Sequence, residues 1–178
     1  MKEFYDEIYE LKKLIRRGWL LRLDNSKRLE SDAEHIFSCC LLAMKVIEDK
    51  KLDIDRDKVL RILLYHEIGE IEVGDITIAD GVSVEEKYQR EQKAVKAFAE
   101  KYNMPEIYAL WEEFEENKTE EAKFCKMIDK LDTILQSKEY CLDVGNDAIY
   151  EEFLETSRKR IAGYEDLLTP YIAKRKDY

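Results

Sequence analysis

Chain breakers are scarce in this sequence. Glycine occurs 6 times and proline twice in 178 residues, well under the roughly 12% that the two make up in an average protein. Tight turns draw on these residues, so an all-β sandwich is excluded. No uncharged apolar run approaches the ~18 residues that a membrane span needs, and no membrane partner is expected. The four cysteines, Cys39, Cys40, Cys125 and Cys141, include no C-x-x-C pair. They read as reduced core thiols of a cytoplasmic protein. The opening MKEFYDEIYE carries acid from its third residue, which speaks against a signal or transit peptide. Positive charge is also in deficit: 30 basic against 40 acidic residues give a net charge of −10. Such a chain repels a phosphate backbone at long range, so no nucleic-acid polymer is expected, while a local basic pocket for a small anion stays open.

What is present is helical periodicity. Phe4, Ile8, Leu11 and Ile15 step by four, three and four, which predicts a first amphipathic helix closed by Gly18. Ser31-Asp32-Ala33-Glu34 is a capping box that starts a second helix near residue 32, reaching about Lys50. A third opens near Asp55 or Asp57 and runs through VLRILLYHEIGE, apolar on nearly every side, as a central helix would be. Residues 73–82 read as a loop. A second capping box at Ser83–Glu86 starts a fourth helix, with Tyr88, Val95, Phe98 and Tyr102 as its buried stripe. Pro105 suits the first turn of a fifth. Further helices are expected from about Thr119 to Tyr140 and from about Asp147, with Pro170 near the end of the last. The expectation is an all-α fold: one single-domain helical bundle of about six to seven helices.

Histidine occurs only twice. His35 shares a stripe with Cys39, Leu42 and Val46, and His66 one with Val59, Ile62, Leu63 and Glu70, so both imidazoles point coreward. Each adjoins a carboxylate (Glu34, Glu67), Glu70 follows His66 one turn later, and Asp75 lies on the loop beyond. Carboxylates around imidazole at a buried helix end cost several kcal/mol unless a positive charge compensates. A divalent cation does so with suitable ligands. A zincin H-E-x-x-H is excluded, because Glu70 stands where its second histidine belongs. Cys39, on the stripe of His35, reads as a packed thiol.

The segments SDAEH, LLYHEIGEIEVGDI and AKFCKMIDKLDTILQ resemble the HD-domain phosphohydrolase superfamily, most nearly its 5′-deoxynucleotidase group, over roughly residues 8–145. The resemblance implies a helical bundle holding one divalent metal ion (Mn, Co, Mg, Fe or Zn, with a transition metal favoured by two imidazoles) on His35, His66, Glu67 and Asp129. It implies Glu70 and Asp75 as the catalytic acidic pair. It implies Arg22, with Arg17 as the lesser alternative, as phosphate clamp, and Trp19 beside the sugar or base. The substrate would be a nucleoside monophosphate, the product phosphate, and the assembly a homodimer. Two departures stand out. The family's His-Asp dipeptide is here His66-Glu67, which keeps open a non-catalytic metal- or nucleotide-binding module. Periodicity on the sixth helix favours Asp132 over Asp129, whereas the family pattern favours Asp129.

Overall fold

The computed structural model describes residues 1–24 and 28–169. Its helices are α1 (Lys2–Lys13), α2 (Arg17–Leu20), α3 (Asp32–Lys50), α4 (Arg56–Tyr65), α5 (Glu70–Val73), α6 (Val84–Tyr102), α7 (Pro105–Glu116), α8 (Glu120–Val144) and α9 (Ala148–Ser157). The fold is all-α. Among the described residues, the only β pairing is an isolated antiparallel bridge between Ile15 and Ser31.

The helix starts follow local chemistry. Ser31 accepts from the Glu34 N–H while the Glu34 side chain reaches back, a complete capping box. Asp55, Ser83 and Thr119 each cap with one side-chain oxygen. At Ser83 the box is half made, because the Glu86 carboxylate turns to Arg90 instead.

Sequence expectations are corrected at three helix ends. The first helix stops at Lys13, not at Gly18, since Ile15 leaves the helical path to pair with Ser31. The third does not run on through Glu70: α4 ends at Tyr65, His66 is its C-cap, and Glu70 opens the separate turn α5. Gly69 lies where this turn packs against α6. A Cβ there would lie 3.1 Å from both Glu91 Cβ and Val95 Cγ2 on α6, so only glycine lets the turn seat against that helix. The last helix ends at Ser157, ahead of a 3-10 turn at Glu165–Leu168; Pro170 lies outside the described residues.

The central helix is α8 rather than α4, whose Leu64 is half exposed. It packs against α3, α4, α7 and α9 and buries residues around most of its circumference, Phe124, Ile128, Leu131 and Ile134 among them, together with Asp129 and Asp132. One apolar cluster joins it to α3, α4 and α7. A second joins Leu11 of α1 to Ile36, Val95, Ile107 and Trp111. Polar side chains of α3, α5 and α8 come together with His66 from the turn after α4.

Candidate metal centre

His35 sits one turn into α3 and is fully buried. Its Nδ1 lies 2.7 Å from Asp132 Oδ2, so that nitrogen carries the proton and donates it. Its Nε2 faces Asp129 Oδ1 at 3.4 Å and Glu67 Oε1 at 3.8 Å. His66 is held the same way: Nδ1 donates to the Leu63 carbonyl at 2.7 Å, a partner that can only accept. Its Nε2 is buried with no hydrogen-bond partner, and Glu67 Oε1 is 3.4 Å away. Burial holds the His66 pKa below its ordinary value, so this ring is neutral and presents a lone pair to a carboxylate oxygen. Two lone pairs facing each other in a buried place repel unless a proton or a metal ion lies between them.

The ligand atoms of His35, His66 and Asp129 all fall within 4.8 Å of one another. Two imidazole nitrogens and a carboxylate suit a divalent metal ion, and each ring's other nitrogen is fixed by an outer acceptor, as in metal-binding histidines generally. The residues therefore fit the group. Burial and the charge of Arg16 work against a proton on His35, yet Cys39 and the hydrogen bonds to Asp129 and Asp132 outweigh them and hold its pKa well above the usual value, so a metal ion would take the place of a proton on Nε2. Burial opposes charge on Asp129 and Glu67 too. Lys130 and His35 keep Asp129 ionised, and Arg16 and His35 keep Glu67 ionised.

The structure resolves the two aspartates into different places. Asp129 faces the Nε2 side of His35 and Asp132 the Nδ1 side, one helical turn apart on the crowded α8. Glu67 borders the triangle but is also engaged by Arg16 Nη1 at 2.8 Å. Cys39 Sγ packs 3.6 Å from His35 Nε2, and burial pushes its pKa up to about 12, so it stays a thiol.

Glu70 and Asp75 stand beside this triangle, joined by Asp32, which sequence reasoning did not single out. Carboxylate oxygens of the three lie within 4.8 Å of one another. Both Asp32 oxygens and Glu70 Oε2 are buried without hydrogen-bond partners. Burial, then the charge of Glu67, pushes Asp32 up to about 7. Burial, Glu67 and Asp75 raise Glu70 well above the carboxylate range. Such a set shares a proton, or takes a hard cation through its oxygens. Asp75 Oδ2 is tied down by the Arg17 backbone N–H at 2.7 Å.

These groups open on a cavity of about 500 Å³ whose lining includes Arg16, His66, Glu67, Glu70, Lys87 and Lys130. The arginine in it is Arg16, also missed from sequence. Backbone bonds to Glu30 and across the Ile15–Ser31 bridge hold it against the start of α3. Arg22 is not brought here; its guanidinium pairs with Glu152 and the Gly18 carbonyl and lies 4.9 Å from the Phe153 ring centroid. Arg17 pairs with Asp80. Trp19 is 1% exposed, donates to Glu30 at 2.8 Å, and packs edge-on against Tyr140 and Phe153. It also lines a smaller cavity shared with Arg16, Asp75 and Lys130.

Comparison with known proteins gives a consistent picture. The HD domain profile matches residues 8–167. A human relative named 5′-deoxynucleotidase HDDC2 is 36% identical over 141 residues, covering 78% of this chain and 67% of its own length. The mouse relative of that name is 37% identical over 134 residues, covering 74% of this chain and 65% of its own length. The chain thus spans about two thirds of the curated relatives it matches. Among solved structures, the PH0347 protein from Pyrococcus horikoshii OT3 superposes with a TM-score of 0.77 at 30% identity, covering 96% of this chain and 98% of its own. A predicted metal-dependent phosphohydrolase from Magnetospirillum magnetotacticum MS-1 gives a TM-score of 0.69 at 29% identity, covering 97% and 89%.

Proposed function

The chain belongs to the HD domain family, and from that premise we propose a metal-dependent phosphohydrolase that releases phosphate from (deoxy)nucleoside 5′-monophosphates. The observation that carries this reading is the buried, unpartnered His66 Nε2, aimed where His35 Nε2 and Asp129 converge. His35, His66 and Asp129 hold the ion, with Glu67 as fourth ligand. The nitrogen donors favour Mn, Co, Fe or Zn over Mg. A divalent cation held there supplies Lewis acidity that lowers the pKa of a water.

The chain's own residues do the rest. Glu70, kept proton-avid by burial and by Glu67 and Asp75, takes the proton of the attacking water. That proton passes within the Asp32–Glu70–Asp75 set, whose oxygens lie within 4.8 Å of one another, and Asp75, fixed by the Arg17 N–H, delivers it to the departing nucleoside oxygen. Arg16 takes the place expected for Arg22: its fork meets the phosphoryl oxygens as charge develops, and Lys87 and Lys130 on the same cavity wall add positive potential. Trp19 acts by packing, shaping the floor on which the nucleotide rests.

The non-catalytic alternative is not favoured, because the curated relatives carry nucleotidase names. We also infer a homodimer and a cytoplasmic location. Phe37, Leu41 and Met44 lie on one face of α3 at 65%, 52% and 51% exposure, a stripe suited to self-association. The described cysteines are all free, as in a reducing compartment, and no described helix is long and apolar enough to cross a membrane.

The test is phosphate release from a panel of deoxyribonucleoside and ribonucleoside 5′-monophosphates. Chelator-stripped protein receives Mn²⁺, Co²⁺, Mg²⁺ or Zn²⁺ singly. Metal-dependent release favouring the deoxy substrates is expected, and His66→Ala should abolish it together with metal binding. Silence across the panel with metal still bound overturns the reading.

A further inference from the structure

We propose that Arg16 occupies the electrostatic place of the divalent cation while the site is metal-free, and that arginine and metal compete for Glu67. The inference deepens the reading above and rests on it.

One oxygen carries the argument. Glu67 Oε1 is 2.8 Å from Arg16 Nη1, 3.4 Å from His66 Nε2 and 3.8 Å from His35 Nε2. It therefore faces the guanidinium and the point where both imidazoles converge. Both side chains of the ion pair are only 14% exposed, so the pair is formed in a poorly solvated place, where charges interact strongly. Arg16 is also within electrostatic reach of Asp129, Asp75 and Glu70, so its cation neutralises the acids that a metal would neutralise. The Arg16 backbone is bound to Glu30 at 3.0 Å and flanked by the Ile15–Ser31 bridge. The segment cannot leave, and only the side chain is free to change partners. Glutamate contributes here as well, since its extra methylene lets one carboxylate span the distance between arginine and imidazoles.

Two cations on one carboxylate weaken each other's hold. A metal ion drawing on Glu67 loosens Arg16 and frees its donors, which match a phosphate in bidentate geometry. Metal binding is then linked to arming the arginine, and the order is metal first, phosphate second. By linkage the coupling is reciprocal.

The experiment is isothermal titration calorimetry on chelator-stripped protein, with Mn²⁺ or inorganic phosphate as titrant. It compares wild type, Arg16→Met, Glu67→Gln and the double variant, with circular dichroism checking the fold. Arg16→Met is expected to bind Mn²⁺ about tenfold more tightly, because a competing positive charge is gone. With Mn²⁺ present it should bind phosphate about tenfold or more weakly. Metal-free Glu67→Gln should bind phosphate more tightly than metal-free wild type, and that gain should vanish in the double variant. Weaker Mn²⁺ binding by Arg16→Met overturns the proposal, because it makes the arginine a support for the site. So does a phosphate gain that persists in the double variant, because net charge alone then explains it. Should Arg16→Met not fold, Arg16→Gln serves the same comparison. Nucleotide hydrolysis is no readout here. A protein without nucleotidase activity would sink the functional reading alone, and an active enzyme with the opposite Mn²⁺ shift would sink this proposal alone.

Discussion

Asp132 Oδ2 lies 2.7 Å from His35 Nδ1, and that contact turns the opposite ring nitrogen toward Asp129. Two carboxylates from one helix thus address the two ends of one imidazole. The outer one selects the tautomer, and the inner one stands where a cation is bound. Asp132→Asn keeps the shape but loses the charge-assisted acceptor. We expect metal affinity to fall about 10- to 100-fold with little change in helical content, measured by metal titration and circular dichroism. Unchanged affinity would assign Asp132 to packing alone.

Glu70 supplies the second prediction. Burial, Glu67 and Asp75 raise its pKa well above the carboxylate range. A base with a raised pKa is protonated, and idle, at pH values where an ordinary carboxylate already works. The rate should therefore climb with pH on its acidic limb above that range. Glu70→Gln should remove the limb and lower kcat about 10²- to 10⁴-fold while Mn²⁺ binding persists. A variant whose pH profile keeps its acidic limb would place the base elsewhere.

Stability should depend on pH in a direction unusual for a carboxylate. Asp32 is pushed up to about 7 in the folded protein, against roughly 3.9 in an unfolded chain. The folded state holds the proton longer, so the stability linked to it is complete below the unfolded value and is lost as pH rises through the folded one. The melting temperature of metal-free protein should fall between pH 5 and pH 8. Asp32→Asn should flatten that slope, and a slope the variant leaves untouched would contradict the assignment.

Gly69 is the fourth test. A methyl group there meets Glu91 Cβ and Val95 Cγ2 at 3.1 Å, and Val95 is fully buried. Gly69→Ala should cost about 1–3 kcal/mol by overpacking, read from denaturant unfolding. Because the displaced turn carries Glu70, activity should drop more than stability does. A neutral substitution would mean that α6 yields easily.

Much of this was legible in the sequence, and the limits have physical causes. Side-chain caps and four-three-four stripes are local, and helix starts such as Ser31, Ser83 and Thr119 were readable from them. The coreward direction of His35 and His66 was readable for the same reason. The end of α4 was not. An apolar run containing one glycine reads as continuous helix, and the packing of Gly69 against α6 is a tertiary contact that periodicity does not report. Arg16 was passed over because a backbone bridge between Ile15 and Ser31, not periodicity, aims it. Asp32 was hidden inside a capping box, where an acid at a helix start has an ordinary explanation. The choice between Asp129 and Asp132 was posed as exclusive because periodicity reports a face. Across a helix buried on most sides, both have a partner.

The Ile15–Ser31 bridge has one more consequence. It closes the chain from residue 15 to residue 31 into a loop whose ends are pinned together beside Arg16 and His35. Closing a longer loop costs little, about 0.6 kcal/mol for each doubling of length. The connection ahead of α3 is therefore a place where insertions can accumulate during descent without altering the spacing between the arginine and the first histidine.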